Sequence, residues 1–501
     1  MIIKSCLTGA IMADDFRLEK LERLKAMKID SYPYSFDRTQ AAKDITSDFA
    51  AFEGKEVRIA GRIVTKRGMG KISFFDLLDY SGKIQLLIRE DVAKKEAMEI
   101  AGLSDVGDII GVFGKVMKTK KGEISVEVKD AVMLSKSLRS LPEKFHGLSD
   151  TEIRYRKRYL DLIANPETRN FFIVRAKMLK YVRDFLDSKG YVEFETPVLQ
   201  STYGGANARP FKTRYEALES NMFLRVSDEL YLKRLIIGGM EKVYEVSKDF
   251  RNEDIDSTHN PEFTQVEFYE AYKDYNDFMK LTEELLSGMV RSIFNSHKIE
   301  YQGKTIDFSP EFRRVYWVEE IRKKAGIDLA ELDDKGAADI AAKEGLEIPI
   351  KNAYHVADAL FDKYIKPELW LPTFVVDFPA YMCPLTKDKR GDSRLSERFE
   401  LFIAGRECGN CYSELTDPKE QRKKFEEQNA ERVKGDADAP PPDFDFIEAM
   451  EYGMPPTAGM GLAIDRPAMI LTNNVSIKEV IAFPTVRPEE KRPDLANKRN
   501  L

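Results

Sequence analysis

The sequence has only four cysteines in 501 residues, at positions 6, 383, 408 and 411. So few cysteines exclude a disulfide framework and favour a reducing compartment, and we therefore expect a cytoplasmic protein. No window approaches the roughly 18 uncharged apolar residues of a membrane span, and the N-terminus lacks the apolar region and cleavage site of a signal peptide. We expect no membrane partner, and translation that begins at Met12, with residues 1–11 as a dispensable extension.

An excess of positive charge is also absent, since the formal net charge is −6. The protein as a whole is therefore not a basic nucleic-acid binder, although a local basic stripe can still bind RNA. No internal repeats are present. Hydrophobic residues make up 43% of the chain. With this length, that fraction predicts a globular protein of two to four domains.

The N-terminal part predicts a helical extension, residues 1–50, and then a small β-barrel, residues 51–140. Five short apolar runs alternate with turns there, and a helical stretch occupies 92–101. This pattern is typical of a closed barrel of the OB type. Six basic residues lie between Lys55 and Lys71.

Two phenylalanines, Phe74 and Phe75, come directly after this basic stretch. Basic side chains can follow phosphates while an aromatic ring stacks on a base, which is the pattern of a protein that binds single-stranded nucleic acid. The alternative is that both rings belong to the barrel core, where phenylalanine in a strand is more often found. The sequence leaves these two interpretations open.

The remainder of the chain predicts a charged linker, residues 141–165, and an α+β domain, residues 166–501. Pro166 and Gly190 bracket an expected helix, because proline favours the first turn and glycine the position just past the end. Later strand-like runs are widely spaced and do not repeat a βαβ unit. We therefore predict an antiparallel sheet flanked by helices, with a helical insertion near 316–365.

Two segments carry residues suited to an anionic ligand. Arg251 ends a strand-like run and offers a planar guanidinium for bidentate phosphate contacts, with Glu253 on the same side of an extended chain. Arg466 lies where a glycine-rich strand (459–463) gives way to a helix, and a cation there opposes the helix dipole unless an anion is near. The alternatives are a surface Arg–Glu pair and an ordinary exposed arginine.

Three glutamates, Glu400, Glu407 and Glu414, lie seven residues apart. Odd spacing places successive residues on opposite faces of a strand, so the three cannot line one regular strand. A turn at Ala404 and Gly405 would bring Glu400 and Glu407 together, and paired carboxylates beside phosphates bind Mg²⁺. The commoner alternative is a set of solvated acids at a strand edge.

Three motifs, in this order, resemble those of class II aminoacyl-tRNA synthetases. A long helix and strand ends in Pro197, Phe-Arg-x-Glu occupies 250–253, and a glycine-rich segment ending in Asp-Arg occupies 459–466. The preceding barrel narrows the resemblance to the lysine, aspartate and asparagine enzymes. The segments GGANARPFKT, ELYLKRL, RNEDIDSTHNPEFTQVEFYEAY, PLTK and NCYSEL look like the lysine enzymes, and the resemblance covers roughly Leu18 to Pro488.

The resemblance implies that the chain activates L-lysine with ATP and Mg²⁺ and transfers it to tRNA(Lys), as a homodimer. Catalysis would depend on Arg251, Glu253 and Arg466. The ATP site would comprise Arg251, Glu253, His259, Asn260, Phe263 and Arg466. The lysine pocket would comprise Gly205, Glu229, Glu267, Tyr269, Asn410 and Glu414. Mg²⁺ would be bound by Glu400 and Glu407, the anticodon by Arg67, Phe74, Gln85 and Glu123, and Pro197 would lie at the dimer interface.

The chemistry of lysine agrees with an acidic pocket, because its compact ammonium has three donors that require carboxylates. An aspartate or asparagine enzyme is one rival, but an aspartate pocket needs cations. A lysine-type ligase that modifies elongation factor P is another, but such ligases lack the barrel. A non-catalytic RNA-binding paralogue is the third, and it would be expected to lose Arg251, Arg466 or the metal carboxylates, which are all present.

The chain departs from the pattern of the resembled family at several positions. Ala463 stands where glycine is usual and Pro467 where methionine is common. Cys408 and Cys411 form a C-x-x-C motif, which can indicate redox or metal chemistry. With only Cys383 as a plausible third ligand, we predict that these cysteines are packing residues.

Overall fold

The computed structural model describes residues 14–68, 71–141, 148–434 and 440–488. The predicted extension 1–11, Cys6, the turn residues Met69 and Gly70 and the tail after Pro488 lie outside the described residues. The chain divides into two compact units, 1–147 and 148–501. In the described ranges, no helix combines the length and the apolar character needed to cross a membrane.

The first unit is a closed five-stranded barrel. Its elements are α1 (Asp15–Ala26), α2 (Ala42–Ser47), α3 (Phe49–Phe52), β1 (Glu56–Arg67), β2 (Ile72–Leu78), β3 (Lys83–Arg89), α4 (Lys95–Leu103), β4 (Ile109–Lys118) and β5 (Ile124–Ser135). The strands close in the order β1-β2-β3-β5-β4, and β3 and β5 pair in parallel. The predicted barrel of the OB type is thereby confirmed.

The predicted N-terminal extension packs on this barrel over its described residues. Leu24, Ile29 and Ile45 belong to the same buried cluster as the strand residues Ile59 and Leu86. Its apolar side is therefore covered by the barrel, as expected for an amphipathic helix that lies on its neighbour.

The second unit combines helices with one large sheet. It begins with α5 (Thr151–Arg156), α6 (Arg158–Ala164), α7 (Pro166–Ser188), β6 (Val192–Glu193), β7 (Leu199–Gln200), β8 (Lys212–Tyr215), β9 (Ser220–Leu224), α8 (Glu229–Ile237), β10 (Lys242–Phe250), β11 (Glu262–Ala271) and α9 (Tyr275–Phe294). It continues with β12 (Lys298–Tyr301), β13 (Lys304–Asp307), β14 (Arg313–Tyr316), α10 (Trp317–Ala325), α11 (Asp334–Glu344), α12 (Ala353–Tyr364), β15 (Thr373–Pro379), β16 (Asp388–Lys389) and β17 (Asp392–Ile403). The last elements are β18 (Arg406–Ser413), α13 (Pro418–Lys434), α14 (Phe444–Glu451), β19 (Thr457–Ala463), α15 (Asp465–Leu471) and α16 (Ile477–Val480).

The large sheet has the strand order β14-β15-β17-β18-β19-β11-β10-β6, with β16 paired to β17. Neighbours are antiparallel except for the outer pairs β14–β15 and β10–β6. The predicted antiparallel α+β architecture is confirmed. Three helices, α10 to α12, lie within the segment 316–365 where a helical insertion was expected.

Residues 141–165 differ from the predicted linker over the part that is described. Helices α5 and α6 occupy most of that part, and the Arg158 side chain is fully buried. Its Nη1 lies 2.6 Å from Asp161 Oδ2, and its Nε donates to the carbonyl of Ala482. These charges can be buried because they neutralise each other and are fully hydrogen-bonded.

The central strand β11 separates the core of this unit from its functional face. Val266 and Phe268 point into a buried cluster with residues of α7 and α9. Gln265, Glu267 and Tyr269 point to the opposite side, because successive side chains of a strand alternate between the two faces. The polar face of the sheet is therefore the floor of a cavity.

Candidate active site

A cavity of about 860 Å³ lies over the polar face of the large sheet. Every residue predicted for the ATP site, the lysine pocket and the metal site lines it. These residues are Gly205, Glu229, Arg251, Glu253, His259, Asn260, Phe263, Glu267, Tyr269, Glu400, Glu407, Asn410, Glu414 and Arg466. Residues more than 260 positions apart in the chain are thus brought to one site by the strand order.

A β-bulge at Cys408 explains how three glutamates with odd spacing reach one face. Glu400 pairs with Asn410 and Leu401 with Gly409, but Phe402 pairs with Glu407, so that Cys408 has no partner in the ladder. The extra residue shifts the alternation of side chains along β18, so that side chains an odd number of positions apart on either side of the bulge point to the same face of the sheet. Glu400, Glu407 and Glu414 therefore all line the cavity.

The turn predicted at Ala404 and Gly405 joins β17 to β18, and both residues have positive φ angles of 51° and 70°. Such angles are ordinary for glycine and uncommon for alanine, so this turn depends on Gly405 more than on Ala404. It is short enough to place the two strands, and with them Glu400 and Glu407, side by side.

Arg251 provides the part of the cavity best suited to an anion. Its guanidinium carbon lies 5.0 Å from the centre of the Phe263 ring. Its Nε is buried and, within the described residues, has no hydrogen-bond partner. A buried donor without a partner costs free energy, and a bound anion would relieve that cost.

Arg466 lies at the start of α15, as predicted, and connects two other site residues. Its Nη1 donates to the carbonyl of Glu407 at 2.8 Å, and its Nη2 lies 3.3 Å from His259 Nε2. Asp256 holds His259 in this position, with 2.8 Å between Oδ2 and Nδ1. Asn260 Nδ2 donates to the carbonyl of Glu262, which ties the same loop to β11.

Glu400 and Glu407, which were predicted to bind a metal, both line the cavity on neighbouring strands, and their chemistry fits a divalent cation. Burial raises the pKa of Glu400 to about 7, with Arg398 opposing the shift and Glu407 adding to it. A cation beside Glu400 would favour its ionised form and so oppose this rise in its pKa. Within the described residues, no three His, Cys, Asp or Glu side chains form a complete metal site. Phosphate and water oxygens would have to complete the shell of a hard cation such as Mg²⁺.

The other end of the cavity is an acidic pocket. Glu229, Glu267 and Glu414 are buried there, and Tyr269 donates to Glu267 Oε2 at 2.6 Å. Burial, reinforced by the charge of Glu229, raises the pKa of Glu267 to about 8. Burial also raises the pKa of Glu414 to about 8, against the opposing charge of Lys233. A ligand with ammonium groups would restore the ionised form of these acids.

Glycine is required at two positions of this pocket. A Cβ at Gly459 would overlap the Tyr269 ring and Glu414 Oε1. At Gly205, φ is +87° and a Cβ would lie 2.9 Å from Ser227 Oγ. The backbone therefore approaches the pocket closely on two sides, leaving its amide and carbonyl groups near a bound ligand.

Two basic residues of the site were missed by sequence reasoning. Lys233 forms ion pairs with both Glu229 and Glu414. Arg398 pairs with Glu400 and donates from Nε to Asn410 Oδ1 at 3.2 Å. The spacing of four between Glu229 and Lys233 on one helix was a signal for the first, and alternation along β17 was a signal for the second.

The cysteines of the C-x-x-C motif lie on the core side of β18. Both side chains are fully buried, within the apolar cluster between the sheet and helices α7 and α9. Burial raises the pKa of the Cys408 thiol to about 12 and that of Cys411 well above its usual value. These thiols are therefore neutral and poor nucleophiles, as expected of packing residues.

The barrel of the first unit carries the predicted anticodon residues. Phe74 pairs with Arg67 across β1 and β2 and is partly exposed, whereas Phe75 is fully buried in the barrel core. Gln85 accepts a hydrogen bond from Ser125 at 3.0 Å, and Glu123 is exposed just before β5. Phe75 therefore belongs to the core, whereas stacking on a base stays a prediction for Phe74, whose ring is partly exposed.

The fold and the site together define a class II tRNA synthetase. Residues 150–487 match the family described as class II tRNA synthetases (D, K and N). Residues 57–134 match the OB-fold nucleic acid binding domain. The letters denote aspartate, lysine and asparagine, the three enzymes to which the sequence motifs had pointed.

The curated relatives narrow this class to one member. The lysine–tRNA ligase of Pelotomaculum thermopropionicum is 47% identical over 478 residues, covering 95% of this chain and 94% of that protein. Those of Carboxydothermus hydrogenoformans and Clostridium perfringens are each 46% identical, covering 95% of this chain and 98% and 96% of their own lengths. The chain belongs to the lysine–tRNA ligase family.

We predict that Glu267 makes the folded protein less stable as the pH rises. Its pKa is about 8 in the folded protein and 4.5 when unperturbed, so the folded state holds the proton more tightly. The free energy of unfolding should fall between pH 4.5 and 8, by roughly 2–4 kcal/mol. Glu267→Gln should make this fall smaller, with the remainder due to Glu414, whose pKa is also raised to about 8, and should be more stable than the wild type at pH 8.5 in urea denaturation. Glu262→Gln, on the exposed end of the same strand, is the control, and an identical pH profile for all three proteins would contradict the prediction.

Proposed function

We propose that this chain is an ATP-dependent lysine–tRNA ligase that forms lysyl-adenylate and transfers the lysyl group to the 3′ end of tRNA(Lys). The observation that carries the proposal is one cavity lined both by three buried carboxylates and by Arg251, whose buried Nε has no hydrogen-bond partner within the described residues. This distribution of charge complements an amino acid with two ammonium groups joined to an acyl phosphate. Family membership supports the same activity.

Lysine would lie with its side-chain ammonium against Glu229 and Glu414. Its α-ammonium would be bound by Glu267 and by the backbone near Gly205, and its carboxylate would point to Arg251. Each ammonium restores the charge of acids whose pKa values are raised in the free protein. Selectivity follows, because a neutral isostere would leave the negative charge of these buried carboxylates only partly neutralised by Lys233.

ATP would lie along the Arg251 side of the cavity. Arg251 would contact the α-phosphate, and Arg466 at the start of α15 would reach the γ-phosphate. Glu253, His259 and Asn260 would hold the adenine and the phosphates, and the Phe263 ring would stack on the adenine. The hydrogen bonds that Asp256 accepts from His259 and that Asn260 donates to the carbonyl of Glu262 keep this loop in place before the nucleotide arrives.

We propose Mg²⁺ as the cofactor, with Glu400 and Glu407 as its protein ligands. When bound, the ion supplies neutralisation of the phosphate charges during the first step. Arg398 would orient Glu400 toward the cation through the ion pair between them. Arg466 would hold Glu407 in the same way, through its contacts with the carbonyl and carboxylate of that residue.

The reaction needs no nucleophile from the protein. In the first step, a carboxylate oxygen of lysine attacks the α-phosphorus in line, and the bond to pyrophosphate breaks. Arg251 is placed to stabilise the charge that develops on the phosphoryl oxygens. In the second step, the terminal ribose hydroxyl of the tRNA attacks the carbonyl carbon of the mixed anhydride, and AMP leaves. We assign no protein group as the general base of that step.

The barrel would bind the anticodon of the tRNA. Phe74 offers a partly exposed ring, and Arg67 beside it offers a cation for the backbone phosphates. Gln85 and Glu123 add polar groups suited to the edges of uridine bases. Such a combination of stacking and polar contacts is how OB folds select single-stranded bases.

We also propose a cytoplasmic homodimer. Pro197 is exposed between β6 and β7, and Leu199 beside it is 51% exposed. Ile173 on α7 is also 51% exposed. Large apolar side chains exposed on the motif that resembles the family's interface segment favour a second copy as their partner.

Exchange of pyrophosphate into ATP should require lysine alone among the twenty amino acids. Glu414→Gln should reduce kcat/KM for lysine by at least about 100-fold, because the loss of a buried charged contact removes roughly 3 kcal/mol or more of binding. Glu420→Gln, on α13, is the control that should behave as wild type. Exchange with aspartate or asparagine would overturn the substrate, and no exchange at all would favour an RNA-binding paralogue.

Phe74→Ala should weaken recognition of tRNA without affecting the first step. Loss of one stacked base costs about 1–3 kcal/mol, so the KM for tRNA(Lys) in aminoacylation should rise roughly 5- to 150-fold. Pyrophosphate exchange without tRNA should be unchanged. Tyr34→Ala, which removes a fully exposed ring from the same unit, is the control. Equal effects of the two substitutions would mean that Phe74 does not read the anticodon.

Sedimentation equilibrium should give about twice the chain mass of 57.5 kDa. Leu199→Asp should shift the mass toward that of one chain, because a carboxylate buried in an apolar interface lacks a partner. Tyr452→Asp, at an exposed position after α14, should leave the mass unchanged. A wild-type protein that sediments as one chain at micromolar concentration would disprove the dimer.

A further inference from the structure

Lys233 is a fully buried cation beside the proposed lysine pocket. It lies on α8, one turn after Glu229, and only 1% of its surface is exposed. Its Nζ forms ion pairs with Glu229 Oε1 and Glu414 Oε2. The two carboxylates proposed to bind the substrate are therefore already joined by a cation of the protein.

Lys233 lies outside the cavity in which the substrate would bind. Glu229 and Glu414 line the cavity, whereas Lys233 does not. Glu414 contacts it through Oε2, while Oε1 is buried beside Gly459 and, in the described part of the chain, accepts no hydrogen bond. Lys233 thus contacts both carboxylates from outside the cavity. It leaves Glu414 Oε1 available to accept a hydrogen bond from a second cation.

The formal charges of these three residues have a simple sum. When both are ionised, Glu229 and Glu414 contribute two negative charges and Lys233 one positive charge, which leaves one negative charge; Glu267 is proposed to meet the α-ammonium and is not counted here. One ammonium neutralises the group completely. Buried groups with uncompensated charge are strongly disfavoured, so this sum decides how much positive charge a side chain in the pocket can carry.

We propose that Lys233 is a positioning and specificity-determining residue, which orients Glu229 and Glu414 and sets the charge of the side-chain pocket to accept a single ammonium. This inference rests on the proposed function. Lys233 does not contact the reacting atoms, and it acts only through the two carboxylates.

The charge sum makes an unusual prediction for a pair of substitutions, measured by pyrophosphate exchange at varied lysine concentration. In Glu229→Gln, Lys233 neutralises Glu414 completely, so the KM for lysine should rise at least about 30-fold. Adding Lys233→Met frees the Glu414 carboxylate. The double variant should therefore have a KM for lysine at least about fivefold lower than Glu229→Gln alone, with the KM for ATP within about twofold of wild type.

A purely structural role for Lys233 predicts the opposite, because two losses would add. A double variant whose KM for lysine equals or exceeds that of Glu229→Gln would overturn the inference. If this double variant does not fold by circular dichroism, the comparison is repeated with Glu414→Gln and Lys233→Met/Glu414→Gln. If both double variants fail to fold while both glutamine variants fold, Lys233 serves folding, and the inference is wrong.

A matched control is available in the first unit. Lys136 is likewise fully buried, with its Nζ 2.7 Å from Asp105 Oδ2 and 2.9 Å from Asp108 Oδ2. Lys136→Met should lower stability and leave the KM for lysine unchanged. Wild-type exchange without any response to lysine would refute the proposed function itself. Normal wild-type exchange with no recovery in the double variant refutes only the role of Lys233.

Discussion

The catalytic unit depends on a shortage of buried positive charge. Glu229, Glu267 and Glu414 lie out of water at one end of the cavity, and Lys233 neutralises only part of their charge. Burial then raises the pKa values of Glu267 and Glu414 to about 8. Such acids destabilise the fold at neutral pH, and the apolar core on the other side of the sheet must offset them. The free-energy cost of burying these acids is offset when a cationic substrate binds, which makes binding selective as well as favourable.

The sheet organises this charge by using its two faces differently. On β11, Val266 and Phe268 join the apolar core while Gln265, Glu267 and Tyr269 face the cavity. Helices α7 and α9 cover the first face, so the second stays open to ligands. The two arginines that we propose to bind ATP follow the ends of strands, Arg251 after β10 and Arg466 after β19. Rigid strands therefore fix most of the acids, and the segments that follow the strands carry the groups proposed to contact the nucleotide.

Much of this arrangement was predictable from the sequence. The barrel, the antiparallel α+β domain and the residues that line the cavity all followed from short motifs whose order and spacing are specific. What the sequence could not decide depended on tertiary context. Of two adjacent phenylalanines, Phe75 is core and Phe74 is partly exposed, and only the register of β2 separates them. The charged segment before α7 suggested a linker. Its local sequence does not reveal that Arg158 and Asp161 neutralise each other in the interior.

The bulge at Cys408 has a consequence for how this protein can change in evolution. Substitutions along β18 alter one side chain at a time, but an insertion or deletion there would reverse the alternation of every residue up to the next turn. Removing one residue at the bulge would send Glu407 into the apolar core and leave Glu400 without its neighbour. We therefore expect family members to vary in sequence at this position while keeping the same number of residues.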